Sequence, residues 1–121
     1  MKRPIIILLI VGLALLCAFA GAHYYLLDGL DGFIWSRMFQ EDTRYSEKYS
    51  DAAFRKVHPG MTQTALTELL GPPLRTYSPT SERDMTTLWF SESPNDSHFR
   101  VRSVDLRDGI VIHKLSEFYV D

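Results

Sequence analysis

The chain has 121 residues, a formal net charge of −2, 45% hydrophobic residues and 23% charged residues. That length holds one small domain and a tail, not two full domains. The near-neutral balance argues against a nucleic-acid binder, which gathers a basic excess on one face, and a single cysteine, Cys17, excludes an intrachain disulfide framework or a cysteine-based zinc cluster.

Met1-Lys2-Arg3-Pro4 opens the chain, and Ile5 to Ala22 carries no charge. With His23 tolerated, the apolar run reaches Leu27, so residues 5–27 are long enough to cross a hydrocarbon core of roughly 30 Å as a helix. Lys2 and Arg3 precede the run, and Asp28 and Asp31 follow it. The positive-inside rule then places the N-terminus in the cytoplasm. Tyr24 and Tyr25 fall at the far interface. Residues 1–27 therefore read as a signal anchor. Two alternatives stay open. Ala18-Phe19-Ala20 has the small-x-small form of a signal-peptidase site, which would release a periplasmic protein. Acylation of Cys17 would make an outer-membrane lipoprotein, although a bulky Leu16 stands where a small residue is usual. As an ordinary residue, Cys17 is a small apolar side chain in a membrane helix.

Residues 28–41 read as a juxtamembrane connector, broken by Gly29 and Gly32. Its apolar residues Leu30, Phe33, Ile34, Trp35, Met38 and Phe39 need a surface, either the membrane or the domain. Residues 42–121 form the domain. Tyr45, Tyr49, Ala52, Ala53 and Phe54 recur at helical spacing and predict a short amphipathic helix over 42–56, ended by His58-Pro59-Gly60. Thr62 is a natural N-cap for a second helix with Ala65, Leu66, Leu69 and Leu70 on one face. Gly71 closes it, and Pro72-Pro73 forbids continuation.

Beyond Pro73 the period changes to that of strands. Met85–Ser91 is β-branched and aromatic, Phe99–Leu106 is a second strand, and Ile110–Leu115 a third that extends toward Val120. Pro94-Asn95-Asp96 is a turn signal, and Arg107-Asp108-Gly109 a tight hairpin turn. Phe99 and Val101, then Val104 and Leu106, switch faces once and predict a bulge near Arg102-Ser103. The order predicts an α+β domain, helix-helix-strand-strand-strand, with both helices on one face of a three-stranded antiparallel sheet.

Val57-His58-Pro59-Gly60-Met61-Thr62, followed by Leu66 and Leu69-Leu70-Gly71-Pro72-Pro73, resembles the G-M-T…L-L-G-x-P signature of the SmpA/OmlA (BamE-like) family. Gly60, Met61, Thr62, Leu69, Leu70, Gly71 and Pro72 carry that motif. Leu88-Trp89-Phe90, Val101–Leu106, Asp108-Gly109 and Ile110–Ile112 fit its later pieces. The resemblance implies a helix-helix-strand-strand-strand fold, shared with β-lactamase inhibitor proteins, and an envelope protein that binds other proteins. The weak lipoprotein signal and the membrane helix imply a membrane-anchored paralogue rather than the barrel-assembly subunit itself.

Residue chemistry points away from catalysis. His23, His58, His98 and His113 are scattered without metal spacing, although His98 and His113 could meet across the hairpin. No serine lies in a G-x-S-x-G elbow, and no glycine-rich phosphate loop is present. The sequence predicts no enzyme, cofactor, metal or nucleic-acid partner. Arg100 and Arg102 alternate on one strand face, with Trp89 on a neighbouring strand. An arginine–aromatic patch on an open sheet has the composition of a protein-binding hot spot, and an ordinary solvated strand face with cross-strand ion pairs reads the same way. Leu88 and Phe90 are the expected core pair. The expected function is a non-enzymatic interaction module on the periplasmic face of the inner membrane, its partner an envelope protein. The alternative is an inhibitor or small-ligand-binding domain on the same fold.

Overall fold

In the computed structural model, which describes residues 2–121, the apolar run is one helix, α1 (Lys2–Tyr25), with no buried residue. It is long and apolar enough to cross a membrane or to serve as a signal sequence. Only Leu26, Leu27 and Asp28 separate it from a second helix, α2 (Gly29–Met38). The irregular connector expected over 28–41 is therefore mostly helical. The chain turns at Gly29, and Gly32 lies inside the helix because the sheet approaches it: a Cβ there would sit 3.3 Å from the Cβ of Phe118. Gly32 is a close-packing residue, not a helix breaker.

The helix expected over 42–56 is also shorter than its periodicity implied. Arg44–Tyr45 is a short strand, β1, and only Asp51–Arg55 is helical, α3. Ser50 sets that start, its Oγ accepting from the Ala53 amide at 3.1 Å. The Tyr45–Tyr49 spacing belongs to a turn in which the two rings stack at 4.7 Å, with the Tyr49 amide bonded to the Ser46 carbonyl. α4 (Gln63–Leu70) follows as expected, capped by Thr62 Oγ1 on the Ala65 amide at 3.2 Å and closed by Gly71 at φ 73°.

The strands are β2 (Arg75–Tyr77), β3 (Met85–Trp89), β4 (Ser91–Glu92), β5 (Phe99–Arg107) and β6 (Ile110–Tyr119). They form a four-stranded antiparallel sheet ordered β2-β3-β5-β6, beside a two-stranded β1-β4 ribbon. The three-stranded expectation missed β2. Pro72-Pro73 stops α4 and sends the chain back along β3, where the Leu74 amide donates to the Trp89 carbonyl. Asp108 and Gly109 both take positive φ, 49° and 76°, which defines a two-residue type I′ hairpin.

The bulge is not at Arg102-Ser103. The register shifts between Asp105 and Leu106, which pair with His113 and Val111 and leave Ile112 as the extra residue on β6. β5 therefore alternates without interruption, and Arg100, Arg102, Val104 and Leu106 share one face. α3 and α4 lie on that face. Phe54, Val57, Leu66 and Leu70 pack against Leu88, Phe90, Val104, Leu106 and Val111, all buried. Leu88 and Phe90 are core, as their alternation with Trp89 implied. α2 and the α1–α2 turn extend the helix layer along the same face: Gly32 packs on Phe118, and Ser116 Oγ donates to the Leu27 carbonyl at 2.6 Å.

Candidate functional site

The segment that joins α1 to the domain ends in a buried polar cluster. Asp28 follows α1 by three residues, and its carboxylate is 6% exposed. The Arg102 guanidinium, fully buried on β5, donates from Nη1 to Asp28 Oδ1 at 2.5 Å and from Nη2 to Oδ2 at 3.0 Å. Its Nε donates to the Tyr49 hydroxyl at 2.9 Å, and that hydroxyl donates to Asp51 Oδ1 at 2.7 Å. Arg100 adds a donor to Asp28 Oδ2 at 3.1 Å and points its Nε at Glu41 Oε1 at 3.0 Å. Fork-shaped, charge-assisted contacts of this kind are strong and directional.

The electrostatics follow from burial. Desolvation alone would lower the pKa of Arg102, but its bonds to Asp28 and that carboxylate's charge outweigh it and raise the pKa. The same balance holds for Arg100, with Glu41 the main partner. Burial pushes the Tyr45 phenol up to about 12 and raises Tyr49 as well, so both phenols stay protonated. The cluster is a fixed, hydrogen-bonded ion network.

This placement corrects the expected open arginine patch. Arg100 and Arg102 do lie opposite Phe99 and Val101, but theirs is the face that the helices cover. The carboxylate at the end of the apolar run is the main compensation for the buried arginine, with Asp51 more distant at 3.8 Å from its Nε. Sequence reasoning missed Asp28, which read only as a flanking acid. The adjoining cavity, lined by Leu26, Asp28, Phe33, Asp51, Arg55 and Arg100, is about 110 Å³, well below the roughly 300–1,000 Å³ of small-molecule sites.

Trp89 sits on the other face, away from both arginines. There it aligns with Ser103 and Leu115, beside the pairs Val101–Glu117 and Phe99–Tyr119. The Phe99 and Tyr119 rings meet edge to face at 5.8 Å, and the Arg75 guanidinium lies 5.0 Å over the Trp89 ring. Tyr119 is 46% exposed. α2, α3 and α4 all pack on the opposite side.

The remaining candidates separate in space. Gly60, Met61 and Thr62 clip the start of α4 to β6: the Gly60 amide donates to the Val111 carbonyl, and the Val111 amide to the Met61 carbonyl, each at 2.8 Å. Leu70 is buried and Leu69 packs at the core margin. His98 and His113 do not meet. His113 Nδ1 lies 3.6 Å from Asp105, whereas His98 Nδ1 accepts from the Asp121 amide at 3.1 Å. Among the described residues, no group of three His, Cys, Asp or Glu side chains is placed to hold a metal ion.

Asp42 clasps the 93–97 turn, accepting from Ser93 Oγ at 2.6 Å and from the Asn95 amide at 3.0 Å. The Ser93 bond is the main reason its pKa falls below the ordinary 3.8. A carboxylate whose folded pKa is depressed stabilises fully above its unfolded pKa and loses that contribution as pH falls through the folded value. The clasp should therefore stay closed through the ordinary carboxylate range and open only at more acid pH, below 3.8. The Asn95 amide shift, followed by NMR through an acid titration, checks this. In Asp42→Asn that acid transition should vanish.

Compared with family models, curated proteins and solved structures, the chain matches none. The functional reading rests on its own residues.

Proposed function

We propose that the chain is a membrane-anchored, non-enzymatic interaction module of the bacterial envelope. α1 serves as a single-pass signal anchor in the inner membrane, and residues 28–121 stand on the periplasmic side. The charge order, Lys2 and Arg3 before α1 and Asp28 and Asp31 after it, supports this orientation. The carrying observation is the joint. α1 runs unbroken past Ala20 to Tyr25, and within three residues Asp28 is bonded to the buried Arg102 and the half-buried Arg100. His23 Nδ1, on the last turns of α1, accepts from the Leu30 amide at 3.1 Å and so caps α2. Cleavage after Ala20, or acylation at Cys17, would leave that cap on a stub of helix. The Gly60–Thr62 and Leu69–Pro72 motifs favour a BamE-like domain.

The partner in this reading is a folded envelope protein that docks on the open sheet face around Trp89, Phe99 and Tyr119. Arg100 and Arg102 serve inside the fold. The test uses the full-length chain in cells. Mass spectrometry of the membrane-embedded protein should recover a peptide that begins at Met1. A photo-reactive residue in place of Tyr119 should join the chain to one discrete envelope protein, and the same residue at Glu68 on α4 should not. A mature chain beginning at Gly21 would remove the anchor. Equal labelling from both positions, or none from Tyr119, would remove the docking face.

A further inference from the structure

α2 has the reverse polarity of an ordinary surface helix. Its buried residues are glycines: Gly29 sits against His23 at the end of α1, and Gly32 faces the domain at Phe118. Its large apolar side chains point out: Ile34 is 54% exposed, Trp35 41% and Met38 67%, spaced to form one stripe. Phe33 lies beside the stripe, with the Arg37 guanidinium 5.2 Å from its ring. A helix in water gains nothing from this arrangement, since its apolar side chains remain hydrated. We infer that α2 lies in the headgroup layer of the bilayer, with Ile34, Trp35 and Met38 directed into the edge of the hydrocarbon. This inference rests on α1 spanning the membrane.

Geometry favours lipid over a second protein as the occupant. The exposed apolar surface of α1 ends in Tyr24 and Tyr25, 93% and 69% exposed. Three residues later α2 begins, and three residues reach at most about 10 Å. The headgroup layer on one side of a bilayer is itself roughly 5–8 Å thick. The linker is folded, not extended, with the Leu26 amide donating to the Ala22 carbonyl and the Gly29 amide to the Leu26 carbonyl, so α2 starts short of that reach and within the layer. The contact of Gly32 with Phe118 then fixes which side faces the domain and directs the stripe away from it. The composition suits the depth. Trp favours the interface, and Arg37 can lay its stem along apolar surface while its charge stays in water. Asp31, exposed in the first turn of α2, holds that end at headgroup level rather than deeper. The domain thus rests on the bilayer through α2 as well as through its anchor.

Trp35 and Trp89 are the two tryptophans, so a Trp89→Phe variant isolates the reporter and keeps an aromatic face for Arg75. The full chain is reconstituted in phosphatidylcholine vesicles with lipids brominated either near the glycerol or near the chain end. Trp35 emission should be blue-shifted and strongly quenched by the shallow bromines, and little affected by the deep ones. Ile34→Ser with Met38→Ser should weaken that quenching. A parallel chain, Leu9→Trp with Trp35→Phe and Trp89→Phe, should be quenched most by the deep bromines, which tests the anchor separately. If the anchor reporter is quenched and Trp35 is not, α1 spans the bilayer and α2 does not rest on it, which overturns the inference alone. Trp35 emission that is blue-shifted and shielded from aqueous iodide, yet indifferent to bromolipid, would mean that a second copy or another protein covers the stripe, and would overturn it equally. No quenching of either reporter would overturn the anchor reading together with this one.

Discussion

Asp28→Ala should destabilise the domain by about 3–5 kcal/mol, the scale seen when one partner of a buried ion pair is removed and the other is left uncompensated. Arg102 is fully buried, and both of its terminal nitrogens donate to Asp28. The alanine variant leaves Tyr49 and the Val101 carbonyl as its hydrogen-bond acceptors, and the carboxylate that remains in reach is Asp51, half-exposed and 3.8 Å from its Nε. Asp28→Asn should fall between wild type and alanine, because the amide keeps one acceptor and loses the charge. Asp28→Leu combined with Arg102→Met should recover much of the loss, since apolar residues of similar volume commonly replace a buried pair at little cost. Arg100 retains Glu41 in that double variant. Denaturant unfolding of the full chain in detergent micelles measures all four proteins. A loss in Asp28→Ala no larger than the roughly 0.5 kcal/mol of an ordinary surface change would mean that the pair does not form.

Gly71→Val is the second large effect. Gly71 sits at φ 73° and ψ −171°, a region essentially reserved for glycine, where other residues carry about 1–3 kcal/mol of strain. Steric contact adds to this, because a Cβ at Gly71 would lie 2.7 Å from the Cβ of Lys48. That atom is the root of its side chain and moves only with the backbone. Gly60→Ala is the control: its φ of 95° also strains a substituted residue, but nothing lies within 4 Å of the added Cβ. The fall in thermal midpoint should be clearly larger for Gly71→Val than for Gly60→Ala. An unchanged midpoint in Gly71→Val would place the end of α4 elsewhere.

Features encoded by neighbouring residues were legible in the sequence. Thr62 before an apolar helical face and Gly71-Pro72 after it delimit α4 by capping chemistry alone. Asp108-Gly109 between two alternating runs defines the β5–β6 hairpin. Leu88 and Phe90 declare their burial by period. What the sequence concealed depends on distant residues. Alternation put Arg100 and Arg102 on one face of β5, but not whether that face would be covered. The cover comes from residue 28, whose carboxylate meets Arg102 across a separation of 74 positions. Gly32 read as a breaker because its purpose, close approach to Phe118, is visible only in tertiary contact. Tyr45 and Tyr49 copied the spacing of a helix while stacking across a turn. β2 is three residues long, too short for any periodicity to reveal it.

The joint at residues 26–28 has a consequence for how the domain meets anything else. Many tethered domains hang from a flexible linker and sample a hemisphere of positions, which dilutes them over that volume. Here the Leu27 carbonyl and the Asp28 carboxylate are both tied to the sheet, so the tether has almost no slack. A chain inserted through α1 keeps two-dimensional diffusion and rotation about the membrane normal, and gives up tilt and height. An approaching molecule must present its contact surface at one elevation above the lipid. In exchange, the encounter surrenders less orientational entropy than docking from solution would. In a chain inserted through α1, the short span between the two helices would act as a ruler, and the distance it sets would select which molecules of that membrane come within reach.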